Sequence, residues 1–301
     1  MGWGNRIVSV ICVVCLAISF VTVGFIAVAV PDDSTVKLAD AYAGTTNPDT
    51  PFAHDELVAM ALAGKRYTFD ENDRFALNQA IYDMNASAEA DGRATRGALD
   101  VARWDELAAK DGVSTGDASA DTTLFYSFAT SLGTASATPG EANKMRTLQP
   151  SAEHADALLE QASYTCVLDP EAIRHLDDVF GVVKVAEPIA LGAFIVAALT
   201  AVGVGCASGR RTFGTVLLGA GVAVIAVFAV LGAWAAIDFE GLFAVFHSLF
   251  FTQGSWVFDA DSLLITMYPE PFWVGMGAIW LGVTLVVSAI SAVAGFALRR
   301  A

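Results

Sequence analysis

Residues 188–237 read PIALGAFIVAALTAVGVGCASGRRTFGTVLLGAGVAVIAVFAVLGAWAAI, 50 residues in which only Arg210 and Arg211 carry charge. A helix crosses the hydrocarbon of a bilayer with about 20 mostly apolar residues at 1.5 Å rise each. The stretch therefore holds two spans, 181–207 and 213–237, joined by a short basic turn; Lys184 and Glu187 mark where the first of them begins. Outward from this pair, Ile7–Val30 and Phe272–Leu298 are also long enough and uncharged. The expected fold is an all-α membrane protein with four transmembrane helices, 7–30, 181–207, 213–237 and 272–298.

Basic residues near span ends set orientation, because cytoplasmic loops are enriched in Lys and Arg. Arg6, the Arg210-Arg211 turn and Arg299-Arg300 all fall on one side of a four-span chain. That side is read as cytoplasmic, with both termini, in a plasma-membrane protein. The 31–178 segment and the 238–271 loop then lie outside. Ala27-Val28-Ala29 resembles a signal-peptidase site, but 24 apolar residues exceed a usual signal core, so the first span is read as an uncleaved anchor.

The chain holds 17 Lys and Arg against 32 Asp and Glu, and between Pro31 and Asp178 the counts are 11 and 26. The whole net charge of −15 thus sits in this outer cap, and the rest is neutral. Such a surface repels phosphate backbones, which argues against a nucleic-acid partner. Cys166 is the single cysteine of the cap, so the cap has no internal disulfide, and Cys12 and Cys15 lie in an apolar run where thiolates form poorly.

The cap reads as mostly helical. Helices are expected over His54–Leu62, Asp70–Asn85 and, more weakly, Leu99–Lys110; another begins near Ser151, and one starts at Asp169-Pro170 and carries His175 toward the second span. Segments 111–121 and 133–140, rich in Gly, Ser, Thr and Ala, read as loops.

Of four histidines, His54 and His154 sit in polar helices and read as solvated surface residues. His175 falls where the cap meets the outer membrane face. His247 lies in 241–251, which is too apolar for an open loop and too short to span, so it belongs in the interface. Both are then expected at one depth, among Phe246, Phe250, Phe251, Trp256, Phe258, Tyr268, Phe272 and Trp273. Imidazole is the side chain suited to moving a proton near neutral pH. The alternatives are a helix-bound His175 bonded to Asp178 and a snorkelling His247. A metal site from His175, Asp177, Asp178 and His247 matches no strong ligand spacing, and no metal or cofactor is expected.

At these residues a family resemblance emerges. Phe246-His247-Ser248-Leu249-Phe250-Phe251, Trp256-Val257-Phe258 and Tyr268-Pro269-Glu270-Pro271-Phe272-Trp273, with Arg174-His175-Leu176-Asp177-Asp178-Val179 before the second span, resemble the lipoprotein intramolecular transacylases of bacterial membranes. The order of one span, a cap and three spans is similar too. In sequence the likeness is specific over about 170–184 and 243–273.

The resemblance implies an intramolecular acyltransferase without a covalent intermediate. It would move the sn-2 acyl chain of a diacylated lipoprotein from the glyceryl group to the α-amine of the N-terminal cysteine, leaving a lyso-form product. It also implies two catalytic histidines, His175 and His247. His175 is taken as the base, oriented by Asp178, and His247 as the acid, with the reverse assignment open. Phe246, Phe250, Phe251, Trp256, Tyr268 and Trp273 would shape the substrate pocket, and Glu270 would steer the ammonium. No GxSxG element stands in the outer face. The partners implied are the lipoprotein and membrane lipid. Two other readings use the same residues: an acyltransferase or esterase acting on another lipid, and a non-catalytic protein whose cap binds a partner or ligand.

Overall fold

The computed structural model describes residues 3–70, 72–93, 164–168, 170–252 and 254–300. The sequence expectations for Leu99–Lys110, 111–121, 133–140, the helix near Ser151 and His154 lie outside these. Among the described residues all regular structure is helical. The helices are α1 (Trp3–Ala29), α2 (Asp32–Tyr42), α3 (His54–Phe69), α4 (Arg74–Ala90), α5 (Pro170–Ile237), α6 (Phe239–Phe250), α7 (Leu263–Met267) and α8 (Glu270–Arg300). The chain divides into a bundle unit, Met1–Pro31, Val182–Phe250 and Val274–Ala301, and a cap unit, Asp32–Gly181 and Phe251–Trp273.

Among the described residues three helices, α1, α5 and α8, are long and apolar enough to cross a membrane. At 68 residues α5 would be about 100 Å long if straight, far beyond a bilayer. It is not straight. Gly209 interrupts it at φ 77°, a left-handed conformation that glycine adopts without steric cost. Ala201 and Val204 before the break, and Phe213 and Val216 after it, all pack around Cys12, Val13 and Leu16 of α1. In a continuous helix residues 201 and 216 would stand roughly 22 Å apart, so meeting at one patch of α1 requires the chain to reverse at Gly209. Gly209 therefore divides α5 into two helical halves that both pack on α1.

Between these helices the contacts are backbone-close. A Cβ on Gly221 would lie 2.4 Å from the Ser288 carbonyl oxygen, and one on Gly295 would lie 2.4 Å from the Leu218 nitrogen. Small residues at crossings permit such approach where no hydrophobic effect drives helices together. The Trp280 indole donates to the Val21 carbonyl (3.0 Å) and the Ser291 hydroxyl to the Leu217 carbonyl (3.0 Å), tying α8 to α1 and to the second half of α5. α1 is thus packed into the bundle. Gly214 abuts Leu298 and Arg299, while Ser9 and Val10 line a groove with Thr215 and Val216. The arginines at 6, 210, 211, 299 and 300 therefore gather at one end of the bundle.

The cap is built on α3, which packs on α2, α4 and α7. Leu57, Met60 and Ala61 of α3, Leu77 and Ile81 of α4, Ile173 of α5 and Leu263 and Met267 of α7 form its buried apolar set. α3 runs about two turns beyond the expected Leu62, because Lys65 and Arg66 find a shared partner in Asp32 (2.6 and 2.8 Å). α4 begins at Arg74 rather than at Asp70, and Asp73 accepts from the Ala76 N–H at its start (3.0 Å). α2 has no counterpart in the sequence expectations, since its polar composition carries little periodicity.

Candidate active site

The two candidate histidines lie in two places that belong to different units, His175 to the cap unit and His247 to the bundle unit. The first is the start of α5. Pro170 opens the helix, where a missing N–H costs nothing. Ala172, Ile173 and Leu176 turn into the cap core, and His175 is 9% exposed. Its ring meets the edge of Phe251 (centroids 4.8 Å apart, 67° between planes) and tilts on Phe258 (5.7 Å). Beside it lies a cavity of about 210 Å³ lined by Glu171, Arg174, His175, Gly254 and Ser255. Gly254 holds φ 91°, which a side chain would resist. Glu171 and His175 are four apart, so they share the helix face that looks into this cavity.

The next carboxylates on the helix part company. Asp177 is drawn into the cap interior, where it receives the Tyr67 hydroxyl (2.5 Å), the Arg74 guanidinium (2.7 Å) and the Asn72 amide (3.3 Å). Arg74 itself is fully buried and also donates to the Tyr67 oxygen (2.7 Å). Asp178 is exposed, and partial desolvation together with the neighbouring Asp177 raises its carboxyl above the usual range.

The second place is α6. Trp234 closes the preceding helix by accepting the Asp238 N–H, and Asp238 then caps α6 by accepting the Gly241 N–H (2.9 Å). A side chain at 241 would collide with that carboxylate. The 238–271 segment is therefore not one loop: its first part is this 12-residue helix, roughly 18 Å long and too short to span. Backbone polar groups at a membrane surface must be satisfied internally, which is why so apolar a segment coils.

On α6 the His247 Nδ1 lies 2.8 Å from the Phe243 carbonyl oxygen. A carbonyl only accepts, so in the neutral ring Nδ1 carries the proton and the lone pair is on Nε2. The ring stacks on Phe243 (3.9 Å) and meets the edge of Phe246 (5.6 Å), and Phe246 in turn contacts Phe250 (5.2 Å). Burial among these rings lowers the imidazole below its ordinary value, so at pH 7 it is neutral.

Residues 147–273 match the family model described as lipoprotein intramolecular transacylase Lit. Over that stretch the chain is similar to the Lit family. The matched stretch is less than half of the chain, yet it contains both histidines and every other candidate residue. A search of curated proteins finds no match. In fold, the chain is similar to the membrane integral lipoprotein intramolecular transacylase Lit from Bacillus cereus. The likeness covers 100% of this chain and 98% of that one, at 14% identity and a TM-score of 0.59. A variant of the same protein with a histidine replaced by arginine matches at 15% identity over 99% and 93% of the two chains, with a TM-score of 0.53.

Within the Lit-matching segment, the remaining candidates divide by what their polar atoms do. Tyr268 is buried and its hydroxyl donates to the Ala61 carbonyl, beside Gly64. It pins α3 to the start of α8. Trp273 donates its indole N–H to the Tyr268 carbonyl (3.0 Å) and stays partly exposed. Glu270 is exposed in the first turn of α8, where a carboxylate favours the helix dipole. Phe246 and Phe250 are exposed, and Trp256 is half-buried. Lys184 pairs with Glu187 at 3.1 Å. The residues that sequence reasoning missed are Arg74, Tyr67 and Asn72. They stand about 100 positions from Asp177, and no local pattern links them.

Proposed function

We propose that this protein moves the sn-2 acyl chain of a diacylglyceryl lipoprotein onto the α-amine of its N-terminal cysteine. The observation that carries the reading is the Lit family match across 147–273, with two histidines inside it in surroundings suited to proton transfer. An α-amine has a pKa of about 7.7–8.0, so it is mostly protonated at neutral pH and needs a base. The amine nitrogen then attacks the ester carbonyl carbon. The tetrahedral intermediate collapses as the C–O bond to glycerol breaks, and an acid protonates the departing alkoxide. Two protons leave nitrogen, one before attack and one from the tetrahedral intermediate; one is delivered to the departing oxygen and the other is released to water, and no acyl-enzyme is needed.

His247 suits the base: it is neutral at pH 7 and its lone pair is on Nε2. His175 is then the acid, which reverses the roles first assigned from the sequence. In this reading the aromatic rings packed on each imidazole limit water at the ester once substrate is bound, which protects it from hydrolysis. Holding amine and ester of one molecule together supplies up to about 7–11 kcal/mol of the barrier in ideal cases. In this reading the cap faces outward, the arginine-rich end of the bundle faces the cytoplasm, and the substrate is drawn from the outer leaflet.

Mass spectrometry of lipoprotein N-termini from a diacyl-lipoprotein host expressing this chain tests the reading. The expected product is N-acylated cysteine with a free glyceryl hydroxyl, lost with His175→Ala and with His247→Ala. Unchanged lipoproteins in the wild-type strain, or product from both variants, would overturn it.

A further inference from the structure

Arg74 is a fully buried charged side chain with no place in the chemistry above, and burying a charge is costly unless it is paired. We propose that Arg74 and Tyr67 are positioning residues for His175, acting through Asp177 to fix the rotation of α5 about its axis. A buried ion pair is seldom more stabilising than well-packed apolar residues of the same volume. What it adds is geometry. Both oxygens of Asp177 are held, Oδ2 by Arg74 at 2.7 Å and Oδ1 by Tyr67 at 2.5 Å, with Asn72 adding a third donor from the turn between α3 and α4. Burial pushes the Tyr67 phenol above its ordinary value, so the hydroxyl stays protonated and keeps donating.

The apolar contacts at the start of α5 are small and non-directional: Ala172, Ile173 and Leu176. They hold the helix against the cap without specifying its angle. Asp177 follows His175 by two residues, about 200° around the helix and about 3 Å along it. Clamping the carboxylate on one side therefore aims the imidazole on the other, toward Phe251, Phe258 and the cavity with Glu171 and Arg174. Without the clamp the helix can turn, and the imidazole leaves its ring contacts before the fold is lost.

The effect on turnover rests on the proposed acyl transfer, so the test pairs it with a readout that does not. Arg74→Met alone strands a buried carboxylate and is expected to destabilise. The deciding variant is Arg74→Met with Asp177→Leu, which replaces the pair by apolar side chains and is expected to keep a thermal midpoint near that of the wild type. Full-length protein in detergent is treated with diethyl pyrocarbonate, and the rate at each histidine is followed by peptide mass spectrometry. His175 is expected to react several-fold faster in the double variant, while the solvated His54 is unchanged. On a synthetic diacyl lipopeptide, kcat is expected to fall roughly 10- to 100-fold with KM little altered.

A double variant with the wild-type midpoint, the wild-type His175 rate and the wild-type kcat overturns the proposal. Should the double variant not fold, Tyr67→Phe removes one hydroxyl only; it is expected to raise His175 reactivity, and an unchanged rate overturns the proposal equally. An inactive wild type that still shows the labelling contrast would sink the acyl-transfer reading and leave the positioning role standing.

Discussion

Alanine at His247 is expected to lower turnover on a diacyl lipopeptide by roughly 10²–10⁴-fold, the usual contribution of a general base. No residue of α6 is buried in the bundle, so truncation there removes little packing and the protein is expected to keep its thermal midpoint. The pH dependence carries the sharper signature. Burial lowers His247 below the ordinary imidazole value of 6.5. Its basic form therefore predominates at pH 7 and is lost as pH falls through the lowered value. The acidic limb of kcat is expected to have its midpoint below 6.5, and His247→Ala is expected to abolish that limb. Initial rates across pH 5 to 8 on both proteins check this. An identical limb in the variant would assign the base elsewhere. His175→Ala is expected to lose a similar factor in turnover, and to cost some stability as well, because its ring fills space against Phe251 and Phe258.

Valine at Gly295 is expected to unseat the bundle. A Cβ there would stand 2.4 Å from the Leu218 nitrogen and 2.6 Å from the Gly214 oxygen. Both are backbone atoms of the facing helix and cannot swing aside as a side chain can. Relief requires α8 and the second half of α5 to separate, and overpacking of this kind costs about 1–3 kcal/mol, occasionally more. Gly277→Val is the matched control, since nothing lies within 4 Å of a Cβ at that position. Thermal unfolding in one detergent, followed by size-exclusion chromatography, is expected to show a lowered midpoint for the first and little change for the second. Equal effects from both would mean that the close approach does not hold the bundle.

Much of the bundle is legible from composition, because the bilayer imposes length and polarity so strictly that hydropathy alone marks each crossing. The reversal at Gly209 is legible as well: two arginines follow a glycine between two apolar runs. The cap obeys weaker rules. α2 is polar, and it is held by Asp32 reaching Lys65 and Arg66, an attachment set by partners 33 and 34 residues away. α6 is visible as an apolar stretch confined to the interface, but its helical form depends on the Asp238 cap, a detail of one side chain. The candidate histidines stand out in the sequence because few side chains move protons near pH 7. The side chains packed around them do not. Asp178 looks like the orienting carboxylate by spacing, one turn from His175, whereas Asp177 is the one built into the cap, because Arg74 and Tyr67 arrive from elsewhere in the chain.

The central claim is that the amine of one substrate molecule attacks an ester of that same molecule, with imidazoles carrying protons only. A crossover experiment tests it most directly. Purified protein acts on an equimolar mixture of two diacyl lipopeptides, one bearing deuterated acyl chains and a heavy peptide, the other unlabelled in both. The expected products pair heavy peptide only with deuterated N-acyl chains and light peptide only with light ones. Mixed products would show the acyl group leaving its parent molecule through an enzyme-bound or free intermediate, and would contradict the account.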